Sequence, residues 1–169
     1  MNELLNRYKD EIEEILAKYP ADFKRSAVMP LLYLAQRKEG YVSRRAMAEI
    51  AEIVGIATTE VASVNGFYSL FYDAPHGRYH IQVCNDLPCA MRGAYEFLKE
   101  LSDYLGIKVG ETTPDGLVTL EAVMCLAGCD KAPMFQLQDR DTLTYHENMT
   151  VDKTMELIEA LKKGNGEVK

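Results

Sequence analysis

Residues 78–89 have the sequence RYHIQVCNDLPC, in which a strand pattern gives way to a helix pattern. Apolar and polar side chains alternate from Tyr79 to Cys84, a pattern typical of a strand. Pro88 is typical of the first turn of a helix, and Cys89 follows it directly. The first turn of a helix has free backbone N–H groups and a dipole that favours an anionic sulfur. The stretch therefore predicts a strand–turn–helix unit with a thiol on each side of the turn.

The pattern after residue 89 extends this unit. The helix is predicted to run to Gly106, with one face formed by Met91, Tyr95, Leu98, Leu101 and Leu105. Strands are predicted over residues 117–124, 135–138 and 142–145, and Thr150 is predicted to cap a closing helix. This order of strand, helix, strand, strand, strand and helix resembles a thioredoxin-like fold with a mixed sheet. By analogy with such folds, we expect a cis peptide bond between Ala132 and Pro133.

The first 75 residues predict a small helical bundle. One helix begins near Leu4 and ends at Pro20, and a second ends at Gly40 with Pro30 marking either a kink or a late start. Ser43 and Gly55 are predicted to bound a third helix, and Thr58 is predicted to cap a fourth. The fold class is therefore α/β (α+β overall), with a bundle in residues 1–75 and a thioredoxin-like domain in residues 76–169. The aromatic segment 65–72 between them is either a hydrophobic hinge or a patch that faces a partner.

Four cysteines are the strongest functional signal, and they are the only four in the chain. They form two close pairs, Cys84-x4-Cys89 and Cys125-x3-Cys129, each at the end of a predicted strand. A structural zinc site usually has two intervening residues, because that turn aims both sulfurs at one ion. The wider spacing here favours a binuclear iron–sulfur cluster with two cysteines on each iron.

Other arrangements of four cysteines are less consistent with the sequence. A plant-type ferredoxin needs a cysteine at position 92, where this chain has Arg92, and a Rieske centre needs two histidine ligands. Thioredoxin chemistry needs Cys-x-x-Cys, which is absent. Structural zinc, two disulfides and unrelated buried thiols remain as alternatives.

Composition indicates a globular protein: 47% of the residues are hydrophobic, 27% are charged, and the net charge is −7. A negative charge with scattered basic residues argues against nucleic-acid binding. We also expect no direct insertion into a membrane. Unpaired cysteines without an export signal favour the cytoplasm.

The sequence resembles a known family, the small iron–sulfur subunit of the NADH-oxidising module of respiratory complex I. Members of that family are called the E subunit in bacteria and the 24-kDa subunit in mitochondria. Related proteins are electron-transfer subunits of some NAD-linked hydrogenases and formate dehydrogenases. The resemblance spans residues 10–163. Its motifs are Met29-Pro30-Leu31-Leu32, Gly66-Phe67-Tyr68-Ser69, Val83-Cys84-Asn85-Asp86-Leu87-Pro88-Cys89, residues 123–133 (VMCLAGCDKAP) and residues 145–150 (YHENMT).

The resemblance implies one 2Fe–2S cluster, with Cys84 and Cys89 on one iron and Cys125 and Cys129 on the other. It implies a partner flavoprotein of the F-subunit type that binds NADH and FMN and passes single electrons to this chain. The enzyme, NADH:quinone oxidoreductase, is then the whole complex, and this chain is a carrier with no catalytic residue. Its implied place is the cytoplasmic side, peripheral to the inner membrane, with residues 1–75 docking on partners.

Four residues close to the cysteines in sequence have expected supporting roles. Arg92 and Lys131 either offset the negative charge of the site or are solvated surface charges. Gly128 is expected to supply a positive φ or a close backbone approach. His80 is placed to approach the site along its strand, although a histidine with no ligand role is favoured because no partner at ligand spacing accompanies it.

Overall fold

The computed structural model describes residues 2–163, and the chain divides into two compact units between Pro75 and His76. Each unit has its own hydrophobic core. Helices form the first unit, and helices with a sheet form the second.

The first unit comprises α1 (Glu3–Arg7), α2 (Lys9–Ala17), a 3₁₀ segment (Ala21–Ala27), α3 (Val28–Glu39), α4 (Arg44–Val54) and α5 (Thr58–Phe67). The predicted single helix before Pro20 is wrong, because Tyr8 leaves helical geometry (φ −127°, ψ 38°) and separates α1 from α2. Pro30 lies in the first turn of α3, so the late start is confirmed. The missing N–H of a proline costs no helical hydrogen bond there.

Local capping chemistry sets the limits of α4 and α5. The Ser43 hydroxyl accepts the Ala46 N–H at 3.1 Å, and Gly55 ends α4 in the left-handed region with φ 76°, as predicted. The predicted cap at Thr58 is wrong, because α5 begins one residue after Ala57. The Glu60 carboxylate accepts the Ala57 N–H at 3.1 Å and so takes over the capping role.

A buried amide fixes the aromatic segment where it leaves α5. The Gln36 side chain, on α3, donates to the Leu70 carbonyl at 2.7 Å and accepts the Tyr72 N–H at 2.8 Å. Phe71 is buried in the core of the bundle, whereas Phe67 is 80% exposed. The segment thus anchors itself within its own unit and leaves the rings of Phe67 and Tyr68 exposed.

The second unit is a mixed four-stranded sheet in the order β2–β1–β3–β4, with helices α6, α7 and α8. Strand β1 (Tyr79–Cys84) runs parallel to β2 (Val118–Val123) and antiparallel to β3 (Phe135–Gln138), and β3 pairs antiparallel with β4 (Leu143–His146). The helices are α6 (Leu87–Ala90), α7 (Ala94–Leu105) and α8 (Val151–Lys162). The mixed α/β class and the cis Ala132–Pro133 bond are confirmed.

The helix predicted to run unbroken from Pro88 to Gly106 is interrupted. Gly93 adopts φ 91°, a left-handed conformation that a continuous right-handed helix does not contain, and it separates α6 from α7. Met91 (81% exposed) and Tyr95 (58% exposed) lie at the surface, whereas Leu98 and Leu101 are buried. The prediction that these side chains share one helix face is therefore wrong for Met91, which lies before the break, and for Tyr95.

The two faces of the sheet differ in chemistry. Helices α7 and α8 pack on the face that carries Ile81, in one apolar cluster with Leu101 and Ile158. On the opposite face the Gln136 amide donates to Gln82 at 2.5 Å, and the Gln82 amide donates to the Glu121 carboxylate at 2.8 Å. These bonds satisfy polar groups that the strands hold out of water.

Candidate metal centre

The parallel pairing of β1 and β2 brings the two cysteine-bearing loops to one edge of the sheet. Cys84 is in register with Val123, and the Asn85 N–H donates to the Val123 carbonyl at 3.0 Å. The carboxyl ends of neighbouring strands in an open α/β sheet are a common location for ligands. Both loops therefore leave the sheet side by side.

The Cys89 thiol interacts with the thiols of Cys84 and Cys129. Cys84 and Cys89 are 1% and 0% exposed, and Cys129 is half-buried. Burial, together with hydrogen bonds and charge repulsion from Cys84 and Cys129, raises the pKa of the Cys89 thiol to about 12, and burial is the largest cause. Cys125 is exposed on its loop.

The rise in pKa corrects one expectation from the sequence. The dipole at the start of α6 was expected to favour an anionic sulfur at Cys89, but α6 has only four residues and the thiol is removed from water. Desolvation of the charged form outweighs the dipole of so short a helix.

The donor set fits an iron–sulfur cluster. All four cysteines are free thiols. A buried sulfur beside two other sulfurs resists ionisation unless a cation shares the site, and iron supplies that charge to its thiolate ligands. Within residues 2–163 no three His, Cys, Asp or Glu side chains already stand in the geometry of a single-ion site. A binuclear cluster is wider than a single ion, so a site that fits it does not require single-ion geometry.

Gly128 has one of its two predicted functions. Its φ is −117°, and the positive φ of this loop belongs to Ala127 (φ 59°). A Cβ atom at Gly128 would overlap the thioether of Met134, so the close approach is confirmed. The second cysteine loop thus lies directly against a buried side chain.

The charged and imidazole neighbours of the cysteines differ in their contacts. The Lys131 ammonium is 2.8 Å from the Glu147 carboxylate, and the pKa of Lys131 is raised because the carboxylate accepts its hydrogen bond. Arg92 instead donates from Nε to the Ala132 carbonyl at 3.3 Å. His80 is buried in the sheet, where its Nε2 is 3.1 Å from the Glu121 carboxylate.

Sequence reasoning missed the residues that enclose the thiols. Ala132 and Met134, at 4% and 1% exposure, pack with Cys84 and Cys89. Behind them, the Asn148 N–H donates to the Lys131 carbonyl at 2.7 Å and fastens the loop after β4 to the second cysteine loop. Asn148 has φ 49°, a backbone conformation that asparagine tolerates better than most residues. An asparagine in this loop was therefore the sequence signal for a tight turn here.

In the described part of the chain, no helix is long and apolar enough to cross a bilayer.

The chain is 42% identical over 156 residues to NADH-quinone oxidoreductase subunit 2 of Thermus thermophilus, covering 92% of this chain and 84% of that protein. It is 42% identical over 153 residues to mitochondrial NADH dehydrogenase [ubiquinone] flavoprotein 2 of Dictyostelium discoideum, covering 90% of this chain and 60% of that protein.

A solved structure has a similar fold. It is a chain of an NAD+-reducing [NiFe]-hydrogenase in the air-oxidized state, with a TM-score of 0.67 and 20% identity. The match covers 80% of this chain but only 23% of the hydrogenase chain, so it concerns the fold alone. Residues 12–162 match the family described as thioredoxin-like [2Fe-2S] ferredoxin, and the chain belongs to this family of electron carriers with a single cluster.

Proposed function

We propose that this chain is the electron-transfer subunit of an NADH:quinone oxidoreductase, with Cys84, Cys89, Cys125 and Cys129 as the ligands of its 2Fe–2S cluster. Cys84 and Cys89 hold one iron, and Cys125 and Cys129 hold the other. The convergence of Cys84, Cys89 and Cys129 at one edge of the sheet carries the proposal. When bound, the cluster takes up and releases one electron at a time.

The protein contributes a partly dry and negatively charged setting for that exchange. Ala132 and Met134 exclude water from the sulfurs of Cys84 and Cys89, while Cys125 remains at the surface. Burial and net negative charge both oppose the further negative charge that reduction adds, and this favours a low reduction potential.

The parent complex is best supported as an NADH dehydrogenase. The relatives with that name align over at least 90% of this chain at 42% identity, whereas the hydrogenase shares the fold at 20% identity. A hydrogenase or formate dehydrogenase subunit and a structural zinc module are the alternatives. In the proposed setting the chain lies at the periphery of the membrane through its complex.

An exposed apolar rim beside the cysteines suits a partner subunit. The rim consists of Leu87 (71% exposed), Met91 (81%) and Met124 (75%). Leu87 and Met91 lie one helical turn apart, and Met124 follows the Val123 carbonyl that binds Asn85. We assign this rim to a flavoprotein subunit that binds NADH and FMN, because electron transfer requires a close, dry approach to the cluster. Residues 1–75, with Phe67 exposed, form a second docking module for the complex.

Metal analysis of the anaerobically purified chain tests the ligand set. We expect about two iron and two acid-labile sulfide per chain, and an S = 1/2 electron paramagnetic resonance (EPR) signal after reduction with dithionite. Cys84→Ser and Cys129→Ser should deplete iron, whereas Met124→Ser, a change at an exposed side chain beside Cys125, should not. Zinc in place of iron, or full iron in the cysteine variants, would refute the assignment.

Co-expression with an F-type flavoprotein subunit tests the rim. NADH should reduce the cluster in the co-purified pair but not in the isolated chain. Leu87→Glu should weaken co-purification, while Leu143→Glu, at an exposed residue of β4, serves as the matched control. Equal binding of the two variants would remove the rim from the interface.

A further inference from the structure

Two basic residues lie next to the proposed ligands, and the structure gives them different electrostatic roles. Lys131 follows the second cysteine pair, and its ammonium contacts both Glu147 carboxylate oxygens, at 3.0 and 2.8 Å. An ion pair is close to neutral when seen from a distance. Lys131 therefore offers little positive charge to the site.

Arg92 follows the first cysteine pair and has no acidic partner among the described residues. Its backbone N–H donates to the Cys89 carbonyl at 3.0 Å, and its Nε donates to the Ala132 carbonyl at 3.3 Å. Both acceptors are neutral. The guanidinium thus keeps its full charge, because arginine is protonated at any physiological pH.

The residues that hold Arg92 are themselves part of the wall around the thiols. Ala132 is 4% exposed and packs in one cluster with Cys84 and Cys89. The bond from Arg92 to Ala132 joins residues 40 apart in sequence, one just after the first cysteine pair and the other just after the second. The side chain is therefore both a bridge between the two loops and an unneutralised cation beside them.

On the basis of the proposed function, we propose that Arg92 is a positioning residue that makes the cluster easier to reduce. Its charge stabilises the additional electron, and its bond to Ala132 holds the charge in place. The step concerned is the transfer of one electron from a mediator dye to the cluster. No bond or proton of Arg92 changes in that step.

Redox titration of the loaded chain, followed by EPR, measures the effect. For Arg92→Gln we expect the equilibrium constant for reduction to fall about threefold to tenfold, as for one partly screened charge near a surface site. A tenfold change corresponds to about 59 mV for one electron. Arg92→Lys, which keeps the charge, should remain within about twofold of the wild type.

The matched control is Arg140→Gln, which removes the same charge from an exposed residue in the turn between β3 and β4. β3 runs away from the cysteine edge, so this turn lies at the far end of the sheet, about two Debye lengths away. Arg140→Gln should change the constant less than twofold. Equal effects of Arg92→Gln and Arg140→Gln would overturn the proposal, and so would equal effects of Arg92→Gln and Arg92→Lys.

Iron and sulfide content separates failure of this inference from failure of the proposed function. A wild-type chain that binds no cluster refutes the function itself, whereas loaded variants with an unchanged constant refute only the role of Arg92. If the Arg92→Gln chain does not bind the cluster, the same redox titration is made on Glu147→Gln. That variant frees the charge of Lys131 and should raise the constant about threefold, and an unchanged constant would contradict the electrostatic reasoning.

Discussion

Replacing Gly128 with alanine adds one methyl group at the tightest contact of the second cysteine loop. The backbone of Gly128 (φ −117°) is open to any residue, so no backbone strain arises. The added Cβ would instead overlap the Met134 Sδ and come within 3.0 Å of its Cε. Met134 is 1% exposed and packs against Cys84 and Cys89, which limits its freedom to move aside.

The expected cost follows from overpacking a closed cluster. Additional methyl groups in well-packed interiors destabilise by about 1–3 kcal/mol. For a unit of this size, that cost lowers the unfolding midpoint by about 5–15 °C. Gly66→Ala, the same change at a helical glycine with no atom within 4 Å of the new Cβ, should be neutral or stabilising by up to about 1 kcal/mol.

Thermal unfolding followed by circular dichroism, together with bleaching of the cluster, provides the measurement. Met134→Val removes the Sδ and Cε atoms, so Gly128→Ala should cost almost nothing in that background. The resulting coupling between the two sites should be about 1 kcal/mol or more. Additive effects of the two changes, or an unaltered midpoint in Gly128→Ala alone, would refute the close contact as the reason for a glycine at this position.

Two further predictions concern stability away from the cysteines. Gln36→Leu removes the partners of the Leu70 carbonyl and the Tyr72 N–H, so we expect a loss of about 1–3 kcal/mol and faster amide exchange at Tyr72. His146 lies against Phe135, and burial lowers its pKa below 6.5. As the pH falls, His146 therefore takes up a proton in the unfolded state at a higher pH than in the folded state. The contribution of neutral, buried His146 to the free energy of unfolding is present above about pH 6.5 and is lost as the pH falls through its folded pKa. His146→Gln should therefore narrow the difference between urea midpoints at pH 7.5 and 5.5, and an unchanged difference would contradict this origin.

Helix and strand limits that depend only on residues close by in the sequence could be predicted from the sequence. Ser43 and Gly55 bound α4 as expected, because a cap uses backbone groups three or four residues away. The alternating pattern from Tyr79 to Cys84 likewise gave β1 its correct limits. The break at Gly93 was missed, since an apolar period continues across it and only the observed φ of 91° interrupts the helix. Ala57 was missed as a cap because Glu60 supplies the acceptor in its place.

The sequence by itself indicated the kind of chemistry at the site: the number and spacing of the thiols favour a binuclear iron–sulfur cluster over a zinc site, because the length of a loop limits where its two sulfurs can point. Only the tertiary structure decided which thiols are buried and how Cys89 ionises, since both depend on contacts made after the two loops meet. The same holds for Gly128 against Met134, and for the different partners of Arg92 and Lys131. Desolvation and charge pairing act through space, over separations in sequence that no local pattern records.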